Sequence, residues 1–154
     1  MKKLNNTLII GIGNNTRQDD GLGWEFLTLL EEDGFTANHL VCKYQLMVED
    51  AELISEFDVV IFVDAYKSEL ENGFSFERIY PAEEVSFSTH SVPPKQILNL
   101  CETLYAKKPM AYLMKIQGYQ WSIEIGLSKQ AKTNLKNAFS YYIENLSEIQ
   151  KTID

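Results

Sequence analysis

Three side chains in this sequence have the types and settings that metal-assisted or hydrolytic chemistry requires: Asp20, Asp64 and His90. Asp20 lies in the run Gly11-Ile12-Gly13-Asn14-Asn15-Thr16-Arg17-Gln18-Asp19-Asp20-Gly21-Leu22-Gly23. An acid such as Asp19 at a helix start caps the helix and complements its dipole, worth roughly 0.5–2 kcal/mol. One cap does not call for two acids flanked by Gly21 and Gly23. Those glycines imply close backbone approach, to a sheet or to a ligand. Asp64 follows the apolar residues Val59 to Val63, where an unpaired carboxylate is costly. Acids in that setting serve as ligands or catalytic groups, with a helix cap as the plain alternative. His90 is one of two histidines. It sits in the polar stretch Ser86 to Ser91, before Pro93-Pro94. A surface or structural role is the ordinary reading of such a histidine; presentation to a site by a loop is the other. His39 begins an apolar stretch and reads as structural.

Two aspartates and a histidine make a reasonable ligand set for nickel or zinc, with coordination positions left for substrate. A Ser/His/Asp triad is excluded because no serine occupies a nucleophile elbow. The glycines of the first loop do not make a nucleotide site. A dinucleotide fingerprint needs its third glycine where Thr16 stands, and an acid where Cys42-Lys43-Tyr44 ends the second strand. No Gly-Lys-Ser/Thr sequence is present, and Asp19-Asp20 would repel a pyrophosphate.

The 154 residues fit a single domain spanning 1–154, long enough to bury roughly 70% of the unfolded surface. With 45% hydrophobic and 23% charged residues the composition is that of a soluble globular protein. The net charge of −8 disfavours nucleic acid, and neither Lys107-Lys108 nor the scattered lysines of the last helix form a phosphate-tracking stripe. No apolar run approaches the roughly 20 residues that span a bilayer. Lys2-Lys3 precede only Leu8-Ile9-Ile10, a strand and not a signal peptide, so the cytoplasm is expected. Cys42 and Cys101, both in apolar segments, read as buried free thiols.

The elements that must position the three residues follow from periodicity. Leu8 to Ile12 is a short apolar run ending in glycines, as a buried parallel strand would be. A helix is expected from about Asp20, with Leu22, Phe26, Leu29 and Leu30 on one face and Gly34 to stop it. His39 to Tyr44 reads as a strand, Glu49 to Phe57 as a short helix, and Asp58 to Asp64 as the clearest buried strand. Phe74 to Tyr80 alternates, as an exposed, antiparallel edge strand would. Ser91, Pro93 and Pro94 open a helix carrying Ile97, Leu98, Cys101 and Leu104. Ala111 to Gln117 is the fifth strand. Ser128 caps a long last helix with its stripe at Ala131, Leu135, Ala138, Phe139, Tyr142, Leu146 and Ile149. Strands alternating with helices imply an α/β three-layer sandwich, a mostly parallel sheet with helices on both faces. Ligands in such sheets bind beyond the carboxyl ends of the strands, near a topological switch point. The three candidate residues follow the ends of three strands.

At these three loops the chain resembles the hydrogenase maturation proteases, the C-terminal endopeptidases of nickel–iron hydrogenase large subunits. Gly11-Ile12-Gly13-Asn14, Arg17, Asp19-Asp20-Gly21 and Gly23 are similar to their opening signature. Val63-Asp64-Ala65 resembles their second motif, and His90 with the helix after it their third. Ile116-Gln117 and Gly126-Leu127-Ser128 resemble weaker C-terminal marks, and the likeness runs from about residue 8 to 140. Where many members have a Gly-Thr-rich loop after the second strand, this chain has Tyr44-Gln45-Leu46-Met47-Val48-Glu49. Gly118 stands where a proline is common.

The resemblance implies a twisted five-stranded sheet between helices, phosphorylase/hydrolase-like, with Asp20, Asp64 and His90 as both metal-contacting and catalytic residues. It implies cleavage just after the C-terminal nickel-binding motif of a large-subunit precursor. The nickel is supplied by that substrate, and zinc or another divalent ion is able to substitute. A monomer without membrane or nucleic-acid partners is expected. The rival readings are a non-catalytic nickel chaperone using the same ligands, a different metal-dependent hydrolase, and a nucleotide-binding oxidoreductase.

Overall fold

A computed structural model describes residues 6–34, 39–84 and 92–151. Its strands are β1 (Thr7–Ile12), β2 (His39–Lys43), β3 (Val59–Tyr66), β4 (Phe74–Ile79) and β5 (Met110–Gln117). They form one five-stranded sheet in the order β2-β1-β3-β5-β4. All pairings are parallel except β4 with β5. The most apolar runs take the centre: every residue of β1 and the first five of β3 are buried. The alternating run 74–79 takes the antiparallel edge, where one side of a strand can face water.

The helices are α1 (Leu22–Glu32), α2 (Asp50–Ile54), α3 (Pro94–Tyr105) and α4 (Lys129–Lys151). Because side chains alternate along a strand, the sheet feeds two separate cores. Leu8, Ile10, Val60 and Phe62 pack with Ala51 and Ile54 of α2 and Ile97, Leu98 and Cys101 of α3. Ile9, Ile61 and Val63 pack on the other face with Phe26 and Leu30 of α1 and Ala131, Ala138 and Tyr142 of α4. This is the expected three-layer sandwich. The chain leaves β1 through α1 on one face to reach β2. It then returns through α2 on the opposite face to β3, on the other side of β1. The carboxyl ends of β1 and β3 are therefore the switch point.

Local departures from the sequence reading have local causes. The first helix does not begin at Asp20: Gln18–Gly21 form a 3-10 turn, and α1 starts at Leu22. The second helix is shorter than Glu49 to Phe57. The Met47 amide donates to Asp50 Oδ2 at 2.8 Å, which fixes the start of α2. Glu56 and Phe57 then donate to residues three back, tightening the end into turns. Cys42 and Leu104, expected to be buried, are exposed, whereas Cys101 is buried. β2 is an edge strand, and Leu104 lies in the last turn of α3, beyond the sheet-facing stripe. Pro94 is the first residue of α3, as expected, while Ser91 lies outside the described residues. Ser128 Oγ accepts from the Ala131 amide at 3.2 Å and so caps α4. The side chains of Leu146 and Ile149 lie outside the described residues. No helix among the described residues is long and apolar enough to cross a membrane.

Candidate active site

The crevice between the ends of β1 and β3 is built by close backbone packing. Ile12 and Asp64 are register partners, so Asp64 stands beside the last residue of β1. The N-terminus of α1 is pressed onto the same two strands. A Cβ on Gly23 would lie 2.5 Å from the Val63 carbonyl oxygen and 2.7 Å from that of Ile12. Only glycine permits this approach. Gly13 then turns the chain out of the sheet with φ +145°, and a Cβ there would run into the Asp20 carbonyl. The Asn14 amide donates to that carbonyl at 3.0 Å, and the Asp20 amide donates to the Arg17 carbonyl at 3.1 Å. The loop thereby closes on itself and returns Asp20 to the end of β1.

Asp20 and Asp64 share this crevice and interact electrostatically. Burial pushes the Asp64 carboxyl up to about 7; the Ala65 amide opposes the shift and the Asp20 charge adds to it. Burial also raises Asp20, against the positive charges of Arg17 and Lys67 and the Asn14 amide. Lys67 Nζ lies 5.3 Å from the ring centre of Trp121, tying the end of β3 to the segment after β5. Two carboxylates in one crevice are oxygen donors that a divalent cation would draw together, removing the repulsion between them.

Asp19 has a role that sequence reasoning missed. It does not cap α1, which has no side-chain cap. It is fully buried against the segment after β5. Its Oδ2 accepts from the amides of Tyr119 at 2.7 Å and Gln120 at 2.9 Å, and from Ser128 Oγ at 2.7 Å. Its Oδ1 accepts from the Ser128 amide at 2.7 Å. Burial pushes this carboxyl up, but the hydrogen bonds from Ser128, Tyr119 and Gln120 outweigh it and hold the group below its ordinary range. Gln18, at φ +48°, adds its own contacts to the same segment. The only signal in the sequence was the doubling of the acid: one of two adjacent aspartates had to be explained by something other than a cap.

His90 lies outside the described residues. Among the described residues, no three His, Cys, Asp or Glu side chains gather as a metal-holding group, so Asp20 and Asp64 are the pair the fold brings together. His39 opens β2 with its ring 5.0 Å from that of Phe57 in an edge-to-face contact, a packing role as expected.

The doubly wound α/β sandwich is a fold shared with solved endopeptidases. The hydrogenase maturating endopeptidase HybD from E. coli superposes with a TM-score of 0.66 at 22% identity, over 93% of each chain. A NiFe hydrogenase maturation protease, HycI from Thermococcus kodakarensis, gives 0.69 at 23% identity over 92% of each chain. The hydrogenase 2 maturation peptidase from a Thaumarchaeota archaeon gives 0.66 at 17% identity, over 92% of this chain and 97% of that one. What is shared at these identities is the fold. No protein-family model matches the chain, and no curated protein does.

Proposed function

We propose that the chain is an endopeptidase that removes the C-terminal extension of a nickel–iron hydrogenase large-subunit precursor once nickel has been inserted. The observation that carries this reading is the pairing of Asp20 with Asp64 at the β1/β3 switch point. The shared fold with solved hydrogenase maturation proteases supports it. The nickel belongs to the substrate. Asp20, Asp64 and His90 contact it, and the contact places the scissile bond in the crevice. Nickel held there by the substrate would fix the register of the scissile bond and would be placed to polarise its carbonyl. One of the two aspartates accepts a proton from the attacking water and returns it to the leaving amine. Water oxygen joins the carbonyl carbon, the C–N bond breaks, and the tail departs with a free amino group. A precursor without nickel lacks the contact, so cleavage is coupled to metal insertion.

The test is the intact mass of the large-subunit precursor from the same genome after incubation with this protein, nickel-loaded and nickel-free. Loss of a C-terminal peptide from the loaded form alone is expected, and His90→Ala is expected to stop it without unfolding the protein. Tight nickel binding without any mass change in the precursor would replace this reading with that of a nickel chaperone.

A further inference from the structure

We propose that the segment from Tyr119 to Leu127 is a rigid docking ledge for the folded protein substrate, with Ile123 and Ile125 as its specificity-determining contacts. The inference rests on the proposed proteolytic reading, because the ledge walls the same crevice.

The segment has no helix or strand, yet it is held as firmly as one. Asp19 anchors its two ends through Tyr119, Gln120 and Ser128. Gln18 holds its middle: its amide donates to the Glu124 carbonyl at 2.8 Å, and its Oε1 accepts from the Ser122 amide at 2.9 Å. Trp121 lies under Lys67 at the end of β3. Within this fixed frame Ile123 is 81% exposed and Ile125 87% exposed, the two most exposed large apolar side chains of the described residues. Mobile loops carry exposed apolar groups at little consequence. A clamped one presents them in a single geometry, which lowers the entropy lost on binding. Two neighbouring apolar side chains facing water on a preorganised frame mark an interaction surface.

The occupant follows from position and charge. Lys67 lies against Trp121 of the ledge and its charge also acts on Asp20, so ledge and crevice are neighbours and one folded substrate can cover both. Behind Ile125 a cleft of about 210 Å³, bordered by Asn15, Gln18, Gly21, Glu25, Leu127 and Lys132, has room for one inserted side chain. The net charge of −8 opposes a second copy of this chain, and Glu124 between the isoleucines with Lys132 beside the cleft suits an apolar patch on the precursor rimmed by charges of both signs.

The test compares wild type with the I123S/I125S and I123V/I125V variants, using the nickel-loaded precursor. Both positions are exposed, so the thermal midpoint is expected to stay within about 2 °C. The serine variant is expected to raise KM at least tenfold with kcat unchanged, and the valine variant to restore KM. An unchanged KM in the serine variant overturns the ledge. If wild type does not cleave the precursor at all, the proteolytic reading has failed, and titration of fluorescently labelled precursor decides the ledge by itself. Binding by wild type that weakens tenfold in the serine variant upholds it; equal binding, or none, overturns it. Self-association of wild type that the serine variant abolishes assigns the surface to a homodimer and likewise overturns it.

Discussion

Two carboxylates are withdrawn from water at the same end of the sheet, and the fold treats them in opposite ways. Around Asp19 four donors converge, three of them backbone amides, and its charge is stabilised below the ordinary carboxylate range. Around Asp64 burial and a second acid converge, and its proton is held up to about 7. Burial raises both acids, and what separates them is the set of four hydrogen bonds that Asp19 accepts against the single Ala65 amide that lowers Asp64. The number and sign of the groups supplied to each decide. A buried charge given several hydrogen bonds fixes a loop; one left beside a like charge is poised for proton transfer or for a cation.

The sharpest way to break this contrast is to neutralise Asp64, the proposed site residue. Asp64→Asn is expected to lower precursor cleavage by about 10²–10⁴-fold, measured as the rate of mass loss, while the folded circular dichroism spectrum persists. Asp19→Ala should instead act on stability. It leaves the amides of Tyr119, Gln120 and Ser128 without their acceptor and is expected to cost about 2–4 kcal/mol in urea unfolding. If Asp19→Ala abolished cleavage at full stability, the division of roles would be wrong.

The two acids also predict opposite pH dependences. Asp64 binds a proton in the folded state between its ordinary value of 3.8 and about 7, so folding stability should fall as pH rises through that window. Relative to Asp64→Asn, wild type is expected to lose about 2–3 kcal/mol between pH 5 and pH 8. Asp19 has its folded-state value depressed, so its contribution is present above 3.8 and lost as pH falls below. The smallest effect is expected from Ser128→Ala, which removes the cap of α4 and one of the four bonds to Asp19, about 1–2 kcal/mol by the same unfolding measurement.

Much of the architecture was legible because it is local. The unbroken run Val59 to Val63 predicts a strand buried on both faces, and it lies at the centre of the sheet. The alternation from Phe74 predicts the antiparallel edge. The crevice followed from the rule that places ligands at the switch point, and Asp20 and Asp64 meet there. Illegible was what Asp19 does in place of the expected cap. Adjacent residues of one type share every local signal, and the partners that distinguish them lie 100 to 109 positions downstream. Tertiary packing likewise decided Leu104 and Cys42. Both obey the apolar pattern, but one falls past the helix stripe and the other on an edge strand. Ser128 was read as a cap, which it is, but its second bond, to Asp19, spans 109 residues and leaves no trace in spacing.

That separation also sets a clock. At a synthesis rate of about 5–20 residues per second, the chain between Asp19 and Ser128 takes roughly 5–20 seconds to emerge from a ribosome. Through most of that interval β1 and α1 can find each other, but the Asp19 carboxylate has none of its four donors. The wall beside Asp20 is thus among the last parts of the molecule to be completed. A nascent chain displays the acids of the crevice well before it displays the surface beside them, and becomes a finished tool only when its final helix has docked.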